Sequence, residues 1–90
     1  MYRVFVPVGF EKSIGRLSRF DQQVIWKKVK EYAEPQLKNE PHFGPNIKKL
    51  RGVDPETWRY RIGRYRLFYH IDEKNLVVVL LYVEHTKDAY

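Results

Sequence analysis

The sequence contains no cysteine, which excludes disulfide frameworks, thiol nucleophiles and cysteine-built zinc sites. Histidine is scarce. His42, His70 and His85 are scattered, with no pair at metal-ligand spacing, which argues against a metal enzyme. Long apolar runs are lacking too. The longest, Leu76 to Val83, is far shorter than the roughly 20 residues a membrane-spanning helix needs. The apolar N-terminal stretch is broken at Pro7 and Gly9, and no small-residue cleavage site follows, unlike a signal peptide. The expectation is a cytoplasmic protein with no membrane partner, no metal and no cofactor. Acidic residues are also outnumbered, with 11 Asp and Glu against 17 Lys and Arg, giving a net charge of +6.

What is present fits one small α+β domain over residues 1–90, because 90 residues leave no room for a second core. Apolar residues make up 43% and charged residues 31%, a globular balance rather than a disordered one. The positive charge is concentrated. Residues 48–66 hold Lys48, Lys49, Arg51, Arg59, Arg61, Arg64 and Arg66 against Asp54 and Glu56, so +5 of the +6 lies in this stretch. Such an excess favours anionic partners: nucleic acid, an acidic protein or a membrane surface.

Tyr2 to Val6 is β-branched and aromatic and stops at Pro7, which predicts a first strand. Phe10, Ile14 and Leu17 form one stripe of a short helix. Ser18-Arg19-Phe20-Asp21 has the form of a capping box and predicts the start of a second helix. Its buried stripe is read as Ile25, Val29, Tyr32 and Ala33, and Pro35 is expected to end or kink it. Lys38 to Pro55 carries three prolines and two glycines and reads mainly as loop, long enough to suggest a functional role. Trp58–Ile62 and Tyr65–Ile71 alternate with period two about Gly63-Arg64, which fits a two-residue type II′ hairpin. After a turn at Asp72–Asn75, Leu76–Val83 reads as a strand buried on both faces. The predicted order is β-α-α-β-β-β, a mostly antiparallel sheet with two helices on one face.

A two-residue turn sets the hairpin register. Arg61 then faces Arg66, and Arg59 faces Phe68. Trp58, Tyr60, Ile62, Tyr65, Leu67 and Tyr69 share the face toward the helices, while Arg59, Arg61, Arg66, Phe68 and His70 share the other. Arginines placed directly opposite repel by about 0.2–1 kcal/mol, so stability alone would not choose them. Guanidinium groups around an aromatic ring suit a phosphate backbone with an adjacent base. The face reads as an anion-binding site. RNA cleavage without metal also needs proton transfer, and His85 and Tyr90, just past the last strand, carry groups that can supply it.

Three segments together are similar to the RelE/ParE toxin superfamily: Lys48-Lys49-Leu50-Arg51-Gly52, Trp58 through Tyr69, and Val83-Glu84-His85-Thr86-Lys87-Asp88-Ala89-Tyr90. The resemblance spans essentially the whole chain, and its specific part is the C-terminal half. It implies the toxin of a toxin–antitoxin pair with a RelE-like, microbial-ribonuclease-like fold. RelE-like members cut mRNA in the ribosomal A site, using the 2′-hydroxyl as nucleophile and no metal. The implied partners are a cognate antitoxin, the ribosome and mRNA. The implied catalytic positions are Arg59, Arg61, Arg66, His85 and Tyr90. Lys48, Lys49, Arg51, Arg64, Phe68 and Lys87 are read as RNA and phosphate contacts. RelE-like members commonly carry lysine where Arg59 and Arg61 stand, and arginine where Thr86 stands. That shifts proton transfer to His85 and Tyr90 and leaves electrostatics to the arginines. Two alternatives stay open: a ParE-like inhibitor of DNA gyrase, and a non-catalytic or decayed nucleic-acid-binding homologue.

Overall fold

A computed structural model describes residues 1–86 of the chain. The elements are β1 (Arg3–Phe5), α1 (Val8–Gly15), α2 (Arg19–Lys28), a π-helical turn (Val29–Ala33), α3 (Glu34–Asn39), β2 (Ile47–Lys49), β3 (Trp58–Ile62), β4 (Tyr65–Asp72) and β5 (Val77–His85). The strands form one sheet in the order β1-β5-β4-β3-β2, antiparallel except for the parallel pair β1 and β5. Lys87 and Tyr90 lie outside the described residues. No helix among the described residues is long and apolar enough to cross a membrane.

Ser18 caps α2 as its sequence context predicts, accepting a hydrogen bond from the Asp21 amide at 3.1 Å. From there the helical path continues through Asn39. Its buried residues are Ile25, Val29, Ala33 and Leu37, each four apart. An ideal α-helix has 3.6 residues per turn, so a strict four-residue spacing drifts around it. The π turn, in which the Glu34 amide bonds to Val29 O, takes up that drift. Tyr32 is rotated out of the stripe by the same turn and is 61% exposed, contrary to the expectation that it is core. Pro35 does not end the helix. It falls in the first turn of α3, directly after the π turn, where a missing N–H is tolerated.

The hairpin forms in the predicted register, with Ile62 opposite Tyr65 and Arg61 opposite Arg66. Gly63 has φ +56° and Arg64 does not share that sign, as a type II′ turn requires. The helix-facing residues Trp58, Tyr60, Ile62, Leu67, Tyr69 and Ile71 join Phe10, Ile14 and the α2–α3 stripe in one core. Three features differ from the sequence reading. The long loop contains a short edge strand, β2, because Ile47–Lys49 finds open hydrogen-bonding groups on β3. Leu76 belongs to the turn before β5, at φ +55°, where Asp72 accepts hydrogen bonds from the Asn75 amide and side chain. Finally, β5 is buried on one face only, because no second layer covers the far side of the sheet.

One irregularity decides what that far side carries. Along β4 and β5, Tyr69 pairs with Leu80 but Phe68 pairs with Tyr82, so Leu81 is an extra residue on β5. Before this bulge the even-numbered residues Val78 and Leu80 face the core; after it the odd-numbered Val83 does. Tyr82 and Glu84 are thereby placed on the arginine face, and His85 on the helix face.

Replacing the α2 cap tests the local account. Ser18→Ala is expected to lower stability by about 1 kcal/mol, because the exposed first turn loses its one side-chain acceptor. In a domain of this size that corresponds to a fall in Tm of roughly 4–8 °C, read by thermal and urea denaturation. An unchanged midpoint would show that the cap does not contribute.

Candidate functional site

The uncovered face of the sheet is laid out in rows across neighbouring strands. One row runs Arg61, Arg66, Glu84 over β3, β4 and β5; the next runs Lys48, Arg59, Phe68, Tyr82 from β2 to β5. A groove of about 620 Å³ opens over the β2 end of these rows. Its basic walls are Lys48, Lys49, Arg51, Arg59, Arg61 and Arg66, with Leu50 and Thr86 completing it. The sheet thus brings together three arginines that the sequence places on one face, and adds β2, whose lysine register the sequence did not reveal.

The three arginines are held differently. Arg59 Nη1 donates to Asn46 O and Arg61 Nε to Gly63 O, both at a long 3.4 Å. Neither is paired with a carboxylate among the described residues. Arg66 is more enclosed: its guanidinium lies 5.6 Å from the Phe68 ring centroid and 3.6 Å from Glu84 Oε1. The weakly bonded guanidinium groups of Arg59 and Arg61, on a rigid sheet, can take up an anion with little rearrangement. Lys49 is committed otherwise, with Nζ 3.2 Å from Glu56 and 6.0 Å from the Trp58 ring. Arg64 sits at the hairpin tip, outside the groove walls, and its carbonyl accepts from the Thr86 amide at 2.8 Å.

Phe68, read as a stacking surface, is only 5% exposed. Its cross-strand neighbour Tyr82 covers it, with ring centroids 4.7 Å apart and planes tilted by 30°. The accessible ring in this row is Tyr82, which is 42% exposed. Partial burial, together with the nearby Glu84, holds its phenol above the ordinary value. Sequence reasoning missed Tyr82 and Glu84 because both depend on the Leu81 bulge, which leaves no mark in the residue pattern.

None of the three histidines lines the groove. His85 is on the opposite face, edge-on to the Tyr65 ring at 4.9 Å, and Tyr65 in turn donates to Asp21 Oδ2 at 2.6 Å. It borders a second cavity, of about 550 Å³, beside Ser13, Arg16 and Leu17. His70 shares the arginine face but is tied by Nδ1 to Glu56 O at 2.9 Å. His42 ties the loop after α3 to the β4–β5 turn, with Nδ1 at 3.0 Å from Glu40 and Nε2 at 2.5 Å from Glu73. Among the described residues no group of three or more His, Asp or Glu side chains is placed to hold a metal ion.

The family model described as the ParE toxin of type II toxin–antitoxin systems, parDE, matches residues 8–90. The toxin RelG of Mycobacterium tuberculosis is 41% identical over 63 residues, covering 69% of each chain. Two solved structures share the fold. A toxin–antitoxin complex, RelBE2, from M. tuberculosis superposes with TM-score 0.69 at 24% identity, covering 93% of this chain and 96% of that one. The isolated RelE toxin of Escherichia coli superposes with TM-score 0.65 at 22% identity, covering 94% of this chain and 84% of that one.

Two measurements follow from the charges. If about four of the groove cations contact phosphates of single-stranded RNA, log K against log salt falls with slope near −3, and Arg61→Ala makes it shallower by about 0.7. A slope near zero would remove the anion-binding assignment. For His42, burial pulls its pKa down, but the Glu40 and Glu73 carboxylates outweigh it and hold the imidazole above its usual range. Its stabilisation is therefore complete below the unfolded imidazole value and is lost as pH rises through the elevated folded one. His42→Gln is expected to flatten the loss of Tm between pH 6 and pH 8.5. Equal losses in both proteins would show that the clamp does not act.

Proposed function

The chain belongs to the ParE toxin family of type II toxin–antitoxin systems, and on that premise we propose that it cuts mRNA on the ribosome. RelE-like toxins are ribonucleases as a family. The observation that carries the reading for this chain is the cationic groove, with Arg59, Arg61 and Arg66 converging from two adjacent strands. The 2′-hydroxyl attacks the adjacent phosphorus, and the three guanidinium groups stabilise the extra negative charge that develops on the phosphoryl oxygens. No metal is needed for that stabilisation in this mechanism. Tyr90 and Lys87, also assigned to the site, follow the end of β5 beyond the described residues.

The ribosome supplies what a shallow, open groove does not: it holds the mRNA in one geometry, so that the groove needs to recognise only the backbone around one phosphate. A cognate antitoxin is the second partner we assign. A cationic face of this kind suits an acidic segment that folds on binding. The matching family is named for ParE, and a gyrase inhibitor remains the competing reading for that reason. The arginine groove favours the nuclease, since blocking a protein target does not call for three arginines lining one groove.

The deciding experiment is cleavage of a defined mRNA on programmed ribosomes, mapped by primer extension, with free mRNA as control. Cuts are expected only with ribosomes, and Arg66→Ala is expected to reduce their rate by about 10²–10³ through loss of one transition-state charge contact. A folded, growth-inhibiting protein that makes no cuts would instead support the gyrase reading, and a harmless one the decayed homologue.

A further inference from the structure

The cleavage proposed above begins with removal of a proton from the 2′-hydroxyl, and the arginines cannot remove it. A guanidinium is protonated at any working pH and has no lone pair to offer. His85 carries the right chemistry but lies across the sheet from the groove, against Tyr65 and beside α1. Among the described residues, the other carboxylates flanking the arginine face have closer partners than Glu84 has in Arg66. Glu56 is bound by Lys49 and by Trp58 Nε1, and Asp72 by Asn75 at the far end of β4.

Glu84 remains. It stands directly opposite Arg66 in the β4–β5 register, and Arg66 stands directly opposite Arg61. Its Oε1 is 3.6 Å from Arg66 Nη2, too long for a tight hydrogen bond, and its side chain is 32% exposed. The carboxylate is thus held beside the cations without being consumed by them. We propose that Glu84 is the general base of the cleavage, an inference that rests on the nuclease reading. With the scissile phosphate on Arg61 and Arg66, the neighbouring 2′-hydroxyl on the β5 side comes within reach of the carboxylate. Glu84 takes the proton, and the freed electron pair on the 2′-oxygen forms a bond to phosphorus. The bond from phosphorus to the 5′-oxygen breaks, and its electron pair leaves with that oxygen, which takes a proton from water. The hydroxide so formed is neutralised by the proton on Glu84, leaving a 2′,3′-cyclic phosphate, a 5′-hydroxyl and the original carboxylate.

Among the described residues, the charged and titratable groups around Glu84 are these. Arg66 faces it from β4, with Arg61 beyond on β3, and Tyr82 lies two residues back on its own strand. Arg16, just after α1, and His85 share with it the walls of the second cavity. The bulge at Leu81 is what turns it toward the arginines.

The test is single-turnover cleavage on programmed ribosomes by the wild type, Glu84→Gln and Glu84→Asp, each across pH. Binding of an mRNA with a 2′-deoxy nucleotide at the cut site is measured in parallel. Glu84→Gln is expected to lose about 10²–10⁴ in rate, to bind the deoxy RNA at least as tightly as the wild type, and to flatten the acidic limb of the pH–rate profile. Glu84→Asp is expected to retain an intermediate rate with that limb intact. If the wild type cleaves and Glu84→Gln matches it within about threefold, with the same acidic limb, Glu84 is not the base. A fall in rate that tracks weaker binding or a lower Tm, with the limb unchanged, would reduce Glu84 to a structural counterion. If the folded wild type makes no cuts, the nuclease reading fails and this assignment with it.

Discussion

The two-residue turn at Gly63-Arg64 is the constraint on which the rest of the molecule depends. It pairs Arg61 with Arg66 and Ile62 with Tyr65, and strand alternation then sorts every hairpin side chain to one face or the other. A turn one residue longer would offset the pairing and separate the two arginines. The apolar face is covered by α1 and by the α2–α3 stripe, and that burial stabilises the hairpin against the repulsion on its other side. Each fully buried large side chain, such as Leu67 or Tyr69, contributes about 1.5–3 kcal/mol, whereas an opposed arginine pair costs about 0.2–1 kcal/mol. The core therefore outweighs the charge cluster comfortably, and the cluster can be kept for another purpose.

How the cations are held also matters. Arg66 rests on the Phe68 ring and faces Glu84, so its position is set by packing as well as charge. Among the described residues, Arg59 and Arg61 hydrogen-bond only to backbone carbonyls, at 3.4 Å. These contacts orient a guanidinium while leaving most of its five donors available to an anion. All three stand on strands rather than loops, which limits the reorganisation required when a phosphate arrives. The arrangement joins one anchored cation to two poised ones.

Much of this was legible in the residues. The Gly63-Arg64 turn, the alternation around it and the Ser18 cap are local signals, and local signals survive folding intact. The parts that were not legible depend on partners distant in sequence. Ile47-Lys48-Lys49 is a strand only because β3 offers it an edge, and nothing in three residues amid prolines and glycines announces that. Tyr32 leaves the core because of a π turn, whose i→i+5 bond carries no residue code of its own. Phe68 is covered by Tyr82, and His85 faces the helices, because Leu81 is bulged. An uninterrupted apolar run such as Leu76–Val83 conceals parity, since either face can accept any of its residues.

That concealed parity links the core to the chemistry. Without the extra residue at Leu81, Val83 and His85 would point to the arginine face, while Tyr82 and Glu84 would point into the helices. Val83 would then leave the core, and Tyr82 would take its place opposite Leu67, carrying a phenol into the buried cluster. Exposing a buried valine forfeits about 1.5 kcal/mol or more, and burying a phenol without a partner costs further. The hydrophobic requirement at Val83 is therefore enough to choose the bulged register. The same choice places Tyr82 and Glu84 beside the arginines and removes His85 from them. Which side chains stand beside the arginines on β5 is thus set on the far side of the sheet, by what the core will and will not bury.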